Sequence, residues 1–137
     1  MITKSIRTMG ITAVATLGTF AALTYSSCKK DDSTPARDKF LGTWNVSEPA
    51  CGGNYTNTIV NGTTDNSILF SNLGNFNTPA AVQATVEGNT LVILNFDDGT
   101  GRVFTGNGTY SNNGFSVTYT VVYSDNTSET CIANFTK

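Results

Sequence analysis

The chain has 137 residues and contains no histidine, and charged residues make up only 13% of it. Histidine is the commonest general base and metal ligand, and it is the usual activator of a nucleophilic serine or cysteine. We therefore expect no enzymatic activity, no cofactor and no metal site. The longest apolar stretch, residues 11–23, has about 13 residues, whereas a membrane-spanning helix needs roughly 20.

Small polar residues are abundant instead: the chain has 23 Thr, 15 Asn and 11 Ser, together with 13 Gly. Threonine favours strands, whereas asparagine, serine and glycine favour tight turns. Turn signals such as Asn61-Gly62, Gly88-Asn89 and Asn113-Gly114 recur at spacings typical of an antiparallel meander. They separate eight predicted strands, at residues 41–48, 54–60, 66–71, 80–87, 90–96, 102–110, 115–124 and 127–136.

The seventh predicted strand shows the clearest alternation, because Phe, Val and Tyr occupy its odd-numbered positions and Ser or Thr most of the even ones. This pattern places the apolar side chains on one face of a strand. The sixth strand carries Gly106 and Gly108 on its apolar face, and glycines inside a strand mark bends, bulges or close approaches. Such bends let a sheet curl, so we predict an all-β fold, a small antiparallel up-and-down barrel of eight strands.

Residues 1–27 have the order of features of a secretory signal peptide. Lys4 and Arg7 lie in a first segment without acidic residues, and the apolar residues 11–23 follow. We predict that residues 1–27 are removed.

The residues before Cys28, Thr24-Tyr25-Ser26-Ser27, resemble the lipobox of bacterial lipoproteins, although Tyr25 replaces the usual aliphatic residue. The resemblance implies that Cys28 is acylated and becomes the first residue of a lipid-anchored protein. Each buried CH₂ of such an anchor contributes about 0.8 kcal/mol to membrane binding. The alternative is an ordinary signal peptide whose cleavage leaves a free cysteine.

The next four residues, Lys29-Lys30-Asp31-Asp32, resemble the signal that directs many Bacteroidetes lipoproteins to the outer face of the outer membrane. The resemblance implies a lipid-anchored protein of the outer membrane that is exposed at the cell surface. The alternative is a solvated charged linker. In either case, residues 28–39 are predicted to form a polar tether and residues 40–137 the folded domain.

The folded domain is acidic. From Phe40 onward seven Asp and Glu residues oppose only Arg102 and Lys137, so that the net charge is −5. A surface with so few basic groups is unsuited to nucleic acid or anionic lipid heads. We expect a monomer without nucleic-acid partners.

Two cysteines, Cys51 and Cys131, remain if Cys28 is acylated, and two such cysteines in an exported protein usually form a disulfide. They lie near the first and last predicted strands, which are adjacent in a meander only when the sheet closes. The expected bridge therefore favours a closed barrel. The alternatives are two buried free thiols, or an open sandwich that brings the two ends of the chain together.

Gly42-Thr43-Trp44, at the start of the first predicted strand, resembles the signature that opens lipocalins, and residues 40–137 are similar to short lipocalin-like lipoproteins of Bacteroidetes. The resemblance implies that Trp44 closes one end of the barrel and that Gly42 allows a close approach of the chain. Lipocalins tend to carry an arginine over this tryptophan, which the present sequence lacks. In an antiparallel pair that aligns Cys51 with Cys131, Lys137 lies near Trp44, and we expect its stem and charge to cover the indole.

An eight-stranded barrel is just wide enough to be filled by side chains or to hold one small ligand. Five aromatic residues share the predicted inner faces: Phe104, Tyr110, Phe115, Tyr119 and Tyr123. The sequence thus leaves two functional hypotheses open. In the first, a surface lipoprotein binds a small apolar ligand among these aromatics. In the second, they form a solid core, and the domain is an interaction or adhesion module that contacts protein or glycan.

Overall fold

A computed structural model describes residues 34–77 and 81–137 of the chain. Eight antiparallel strands form a closed barrel, in which each strand pairs with the next and β8 returns to β1. The strands are β1 Gly42–Glu48, β2 Gly53–Asn61, β3 Ser67–Phe70, β4 Val82–Glu87, β5 Thr90–Asp97, β6 Arg102–Ser111, β7 Gly114–Tyr123 and β8 Ser128–Thr136. The predicted all-β, up-and-down barrel is confirmed, and no strand bound differs from its prediction by more than two residues.

We name the two ends of the barrel after residues of β1. At the Trp44 end β1 begins, and the β2–β3, β4–β5 and β6–β7 connections lie there. At the Glu48 end β1 finishes, and the other four connections lie there. A short 3-10 helix, Leu73–Asn75, belongs to the β3–β4 connection at the Glu48 end.

Alternating side chains of the strands point inward and form the core of the barrel. In β7 the inward residues Phe115, Val117, Tyr119 and Val121 are all buried, whereas Ser116 and its outward neighbours are mostly exposed. The period of two that the sequence displays is therefore the period of the strand, with its apolar face turned inward.

The two strand glycines of β6 allow it to lie close against β7. A Cβ atom at Gly106 would lie 2.5 Å from the Thr118 carbonyl oxygen and 2.6 Å from the Tyr119 Cβ. A Cβ atom at Gly108 would lie 2.6 Å from the carbonyl oxygen of Ser116. Of the bends, bulges and close approaches that strand glycines can mark, the structure shows a close approach at both positions.

The barrel closes at a short seam between β1 and β8. Their ladder joins residues 45–47 to residues 134–136 and ends there. Beyond the ladder, the Cys51–Cys131 disulfide joins the β1–β2 connection to β8, with a Cα–Cα distance of 5.9 Å. The predicted bridge is therefore present, and it continues the seam where the hydrogen-bonded pairing stops.

A 3-10 helix, Ala36–Phe40, precedes β1. It begins inside the segment predicted as a tether, residues 28–39, and it is attached to the barrel. Arg37 donates to the Thr64 carbonyl oxygen, and the Lys39 Nζ donates to the side chain of Asn89. Residues that the sequence assigns to the tether thus pack on the barrel, because their side chains reach the connections at the Trp44 end.

The predicted signal peptide, residues 1–27, and the predicted acylation site, Cys28, lie outside the described residues. Within residues 34–77 and 81–137, no helix has both the length and the apolar character that crossing a membrane requires.

Candidate functional site

The five aromatic residues predicted to line a ligand cavity fall into two groups. Tyr110 pairs with Phe115 near the Trp44 end, whereas Phe104, Tyr119 and Tyr123 lie toward the Glu48 end. Phe104 and Tyr119 are each 1% exposed, and Phe115 is 5% exposed. Tyr110 and Tyr123 are half-buried.

Aromatic side chains fill the interior at the Trp44 end. The ring of Phe115 stacks on Phe135 with a centroid distance of 4.2 Å, and it meets the edge-to-face rings of Trp44 at 4.9 Å and Phe40 at 5.1 Å. The Trp44 indole N–H donates to the Phe40 carbonyl oxygen at 2.8 Å. Phe115, predicted as a ligand contact, is therefore the centre of a packed aromatic cluster.

Gly42 and Lys137 lie next to each other at the Trp44 end of the barrel. Gly42 has a φ of 110°, in the region that favours glycine, and a Cβ atom there would lie 3.6 Å from the Lys137 Nζ. The Lys137 Nζ lies 4.3 Å from the Trp44 ring centroid and donates to the Leu41 carbonyl oxygen at 3.3 Å. The expected placement of Lys137 over Trp44 is confirmed.

The Glu48 end contains a buried polar network that the sequence reasoning missed. Glu48 is 0% exposed. The Tyr119 hydroxyl donates to Glu48 Oε1, and the Tyr55 hydroxyl donates to Oε2 at 2.9 Å. The Gly74 N–H donates to the Tyr55 hydroxyl at 2.9 Å. Trp44, Val46 and Glu48 alternate along β1, so the period that places Trp44 inside also places Glu48 inside.

The environment of this carboxylate perturbs both tyrosines. Burial, together with the negative charge and hydrogen bonding of Glu48, raises the pKa of Tyr55 and of Tyr119 well above the ordinary value of 10.0. Both hydroxyls therefore remain protonated donors at neutral pH. Glu48 is enclosed, and each of its carboxylate oxygens accepts a hydrogen bond from a tyrosine hydroxyl.

The β3–β4 connection covers the Glu48 end. The Asn75 Nδ2 donates to the Gly52 carbonyl oxygen at 3.2 Å. The Phe76 ring meets Phe104 edge-to-face at 5.9 Å, and the guanidinium of Arg102 lies 4.4 Å above Phe76. Three residues of the connection thus attach it to the barrel: the Gly74 N–H, the Asn75 amide and the Phe76 ring.

Asp98 holds Arg102 in place: the Arg102 Nε donates to the Asp98 Oδ2 at 2.8 Å. Burial alone would raise the pKa of the Asp98 carboxyl, but donors from Thr100 and the Arg102 guanidinium outweigh burial and lower that pKa.

Tyr123, another of the five predicted ligand contacts, pairs with Arg102 across the sheet. Burial and the Glu129 carboxylate raise the pKa of Tyr123 to about 12. Tyr123 donates its hydroxyl to Glu129.

Asn57 adds a polar side chain to the inner face of β2. It is 0% exposed, and its Oδ1 accepts from the Ser71 hydroxyl and the Asn72 N–H, each at 3.2 Å. Its Nδ2 is buried and makes no hydrogen bond within the described residues.

One group of candidate metal ligands occurs at the seam. The ligand atoms of Glu48, Cys51 and Cys131 lie within 4.8 Å of one another. The two sulfur atoms are joined in the disulfide, so they do not supply the thiolates with which cysteine binds metals.

Two open pockets lie on the barrel exterior, on the outer side of the seam. One has a volume of about 330 Å³ and is lined by Asn45, Val46, Ser47, Asn54, Tyr55, Thr56 and Thr136. The other has a volume of about 350 Å³ and is lined by Pro49, Ala50, Thr130, Ile132 and Asn134. Neither is lined by any of the five aromatic residues that the sequence predicted as ligand contacts.

No protein-family model matches the chain, and no curated protein or solved structure matches it either.

Proposed function

We propose that this protein is a lipid-anchored, non-enzymatic binding module, similar to short lipocalin-like lipoproteins, whose partner binds outside a structural barrel. The observation that carries the proposal is the packing of buried side chains against one another inside the barrel at both of its ends. Phe115 and Phe135 stack at the Trp44 end, and Glu48 with Tyr119 occupies the Glu48 end. A small domain needs most of its apolar side chains for stability, and here those side chains pack against one another.

The lipid anchor is supported by the residues before Cys28 and by Lys29-Lys30-Asp31-Asp32 after it. We place the protein at the cell-surface face of an outer membrane on the same pattern. The test is fractionation of cells that express the full chain or Cys28→Ala. Loss of membrane association in Cys28→Ala, with association retained in the neighbouring variant Ser27→Ala, supports the anchor. Equal association of both variants contradicts it.

The non-enzymatic part of the proposal is supported by the absence of histidine from the sequence and by the enclosure of Glu48. Turnover of model esters or glycosides by the purified chain, abolished in Glu48→Gln, would contradict it.

A second candidate function is the binding of a small apolar ligand inside the Glu48 end. It is favoured by one observation: Phe76, which is half-buried, covers Phe104 from the β3–β4 connection. Displacement of Phe76 would uncover Phe104, and next to it Tyr119, whose ring centroid lies 6.1 Å away. Such a ligand must replace contacts that the protein now makes with itself.

Native mass spectrometry separates the two candidates. The full chain is extracted from membranes in a non-glycosidic detergent, and its mass is compared with that of Phe104→Ala. A wild-type mass equal to that of the lipidated chain supports the structural barrel. A co-purifying molecule that is lost in Phe104→Ala contradicts it and favours the internal ligand.

A further inference from the structure

The outer face of β8, β1 and β2 carries six exposed side chains that are all amides or hydroxyls. Cross-strand pairing arranges them in two rows of three. We call this set the polar grid: Thr136, Asn45 and Thr56 form one row, and Asn134, Ser47 and Asn54 form the other. Neighbouring strands lie about 4.8 Å apart, and alternate residues of one strand about 6.6 Å apart. The grid therefore presents polar groups at regular intervals across the seam.

The amide and hydroxyl groups of the grid side chains are without hydrogen-bond partners in the part of the chain that the structure describes. Across residues 34–77 and 81–137, none of the six makes a side-chain hydrogen bond to a protein group, unlike other outward threonines. The hydroxyls of Thr120 and Thr130 pair at 2.9 Å, and those of Thr43 and Thr58 pair at 3.3 Å. The donors and acceptors of the grid are thus available to a partner.

The two open pockets at the seam overlap the grid. The pocket of about 330 Å³ contains five of the six grid residues. The pocket of about 350 Å³ contains the sixth, Asn134, beside the apolar side chains of Pro49, Ala50 and Ile132. Ile132 is 53% exposed. A ligand that crosses Asn134 therefore meets hydrogen-bonding groups on one side and an apolar surface on the other.

The chemistry of the lining limits the ligand. No Lys, Arg, Asp or Glu lines either pocket, so neither offers the charge pairing that holds an anion or a cation. Amide and hydroxyl side chains supply both donors and acceptors. A neutral, hydroxyl-rich ligand with apolar C–H faces matches both the grid and the adjoining apolar surface.

A peptide strand fits the grid less well. Peptide strands add to a sheet through free backbone groups at its edge. At the grid, residues 45–47 are already paired with both β2 and β8, so recognition must proceed through side chains. We therefore propose that the polar grid and its two pockets bind a neutral oligosaccharide. This inference rests on the proposed function, because it places the partner outside the barrel.

The test uses the full chain in a non-glycosidic detergent and four neutral probes: maltohexaose, cellohexaose, mannohexaose and chitohexaose. Binding is measured by saturation-transfer NMR and by titration calorimetry. The grid variant is Asn45→Ala/Asn54→Ala. The matched control is Asn107→Ala, an exposed asparagine on the outer face of β6 that does not belong to the grid. The midpoint of thermal unfolding is measured for each variant to confirm that it is folded.

We expect at least one probe to bind, with a Kd that rises about tenfold or more in the grid variant and stays unchanged in the control. Ile132→Ser should weaken binding as well, because it removes the apolar part of the surface. The absence of binding by all four probes overturns the inference, as does equal binding by the grid variant and the wild type. Stronger binding of an extended peptide than of every sugar also overturns it.

These results are distinguishable from a failure of the proposed function. If an oligosaccharide binds equally to the wild type and the grid variant, the partner site lies elsewhere and only the inference fails. If a small molecule co-purifies inside the barrel and is lost in Phe104→Ala, the proposed function fails whatever the sugars do.

Discussion

The Lys137 ammonium lies 4.3 Å from the centre of the Trp44 ring. Lys137 directly follows β8, and it covers Trp44 at this end of the barrel. The indole below is 1% exposed and is held by its hydrogen bond to Phe40. A cation over the face of a tryptophan is attracted by the ring quadrupole. This contact joins the end of β8 to the beginning of β1. It lies at one end of the short β1–β8 ladder, and the disulfide lies at the other.

Removal of the Lys137 charge should loosen this closure modestly. We expect Lys137→Met, which keeps the stem and removes the ammonium, to lower the free energy of unfolding by about 0.5–1 kcal/mol. Because Trp44 is the only tryptophan of the chain, its fluorescence reports this end of the barrel directly. Denaturant unfolding followed by that fluorescence gives the change. Lys137→Arg is the control and should retain the wild-type stability; an equal loss in both variants would refute the cation–π contribution.

Removal of the disulfide should have the largest effect. It joins residues separated by 80 positions, and in the chain-entropy model a loop of that length contributes about 4 kcal/mol. We expect Cys51→Ala/Cys131→Ala to lose stability on this scale in denaturant unfolding. The control is the wild type unfolded in a reducing agent, which should resemble the double variant. An unchanged midpoint in both samples would contradict the prediction, as would labelling of free thiols at these positions in the unreduced protein.

We expect the hydrogen bonds of Tyr55 and Tyr119 to Glu48 to contribute to the free energy of unfolding as one coupled network. Tyr119→Phe removes one donor to a fully buried carboxylate, and an unsatisfied buried polar group costs about 1–3 kcal/mol. Tyr55→Phe should cost a similar amount. A double-mutant cycle of the two substitutions measures their coupling through Glu48. Strict additivity would show that the two hydroxyls act independently and would refute a shared network.

The same network sets the behaviour of the protein at high pH. Above about pH 10, tyrosines of the unfolded chain lose protons, while Tyr55 and Tyr119 keep theirs in the fold because their pKa values are raised. The unfolded state then binds fewer protons than the native state, so the free energy of unfolding falls as the pH rises. Below that pH both tyrosines are protonated in both states, and their full contribution to stability is present.

Each raised tyrosine adds a slope of about 1.4 kcal/mol per pH unit above its unfolded pKa. Tyr119→Phe should therefore flatten the alkaline fall in stability, as measured by denaturant midpoints across this range. Val117→Ala, which removes part of a buried side chain that does not titrate, is the control and should leave the wild-type slope intact. An identical slope in all three proteins would rule out this assignment.

The close approach of β6 to β7 predicts an intolerance of side chains at Gly106. Gly106→Ala places a methyl group 2.5 Å from the Thr118 carbonyl oxygen, and because the obstacle is backbone, the strands must separate. We expect a loss of about 1–3 kcal/mol, as for other overpacked positions. Gly88→Ala is the comparison, because its Cβ meets no atom within 4 Å and only its φ of 58° opposes the change. Thermal unfolding should rank Gly106→Ala as the more damaging; the reverse order would contradict the close approach.

Much of the fold could be predicted because the relevant signals are local. The alternation of Phe115, Val117 and Tyr119 gives a strand and its inner face, and the Asn113-Gly114 pair gives the turn before it. Cys51 and Cys131 added the one long-range constraint, and with it closure of the sheet. Glu48 was missed although it continues the alternation of Trp44 and Val46, because its charge argued for the surface when its position argued for the interior.

The sequence by itself determined the strands and their inward faces, since both follow from the residue period. It predicted the Cys51–Cys131 disulfide, with free thiols as the alternative, and the meeting of Lys137 with Trp44, and the structure shows both. Only the tertiary structure decided that Phe115 packs on Phe135 and that Glu48 binds Tyr119, which is 71 residues away. It alone also assembled the polar grid from β8, β1 and β2. Which side chains meet inside the barrel depends on their volumes and on how the strands that carry them are aligned with one another. A local pattern fixes the face on which each side chain lies, but not the partners that it meets there.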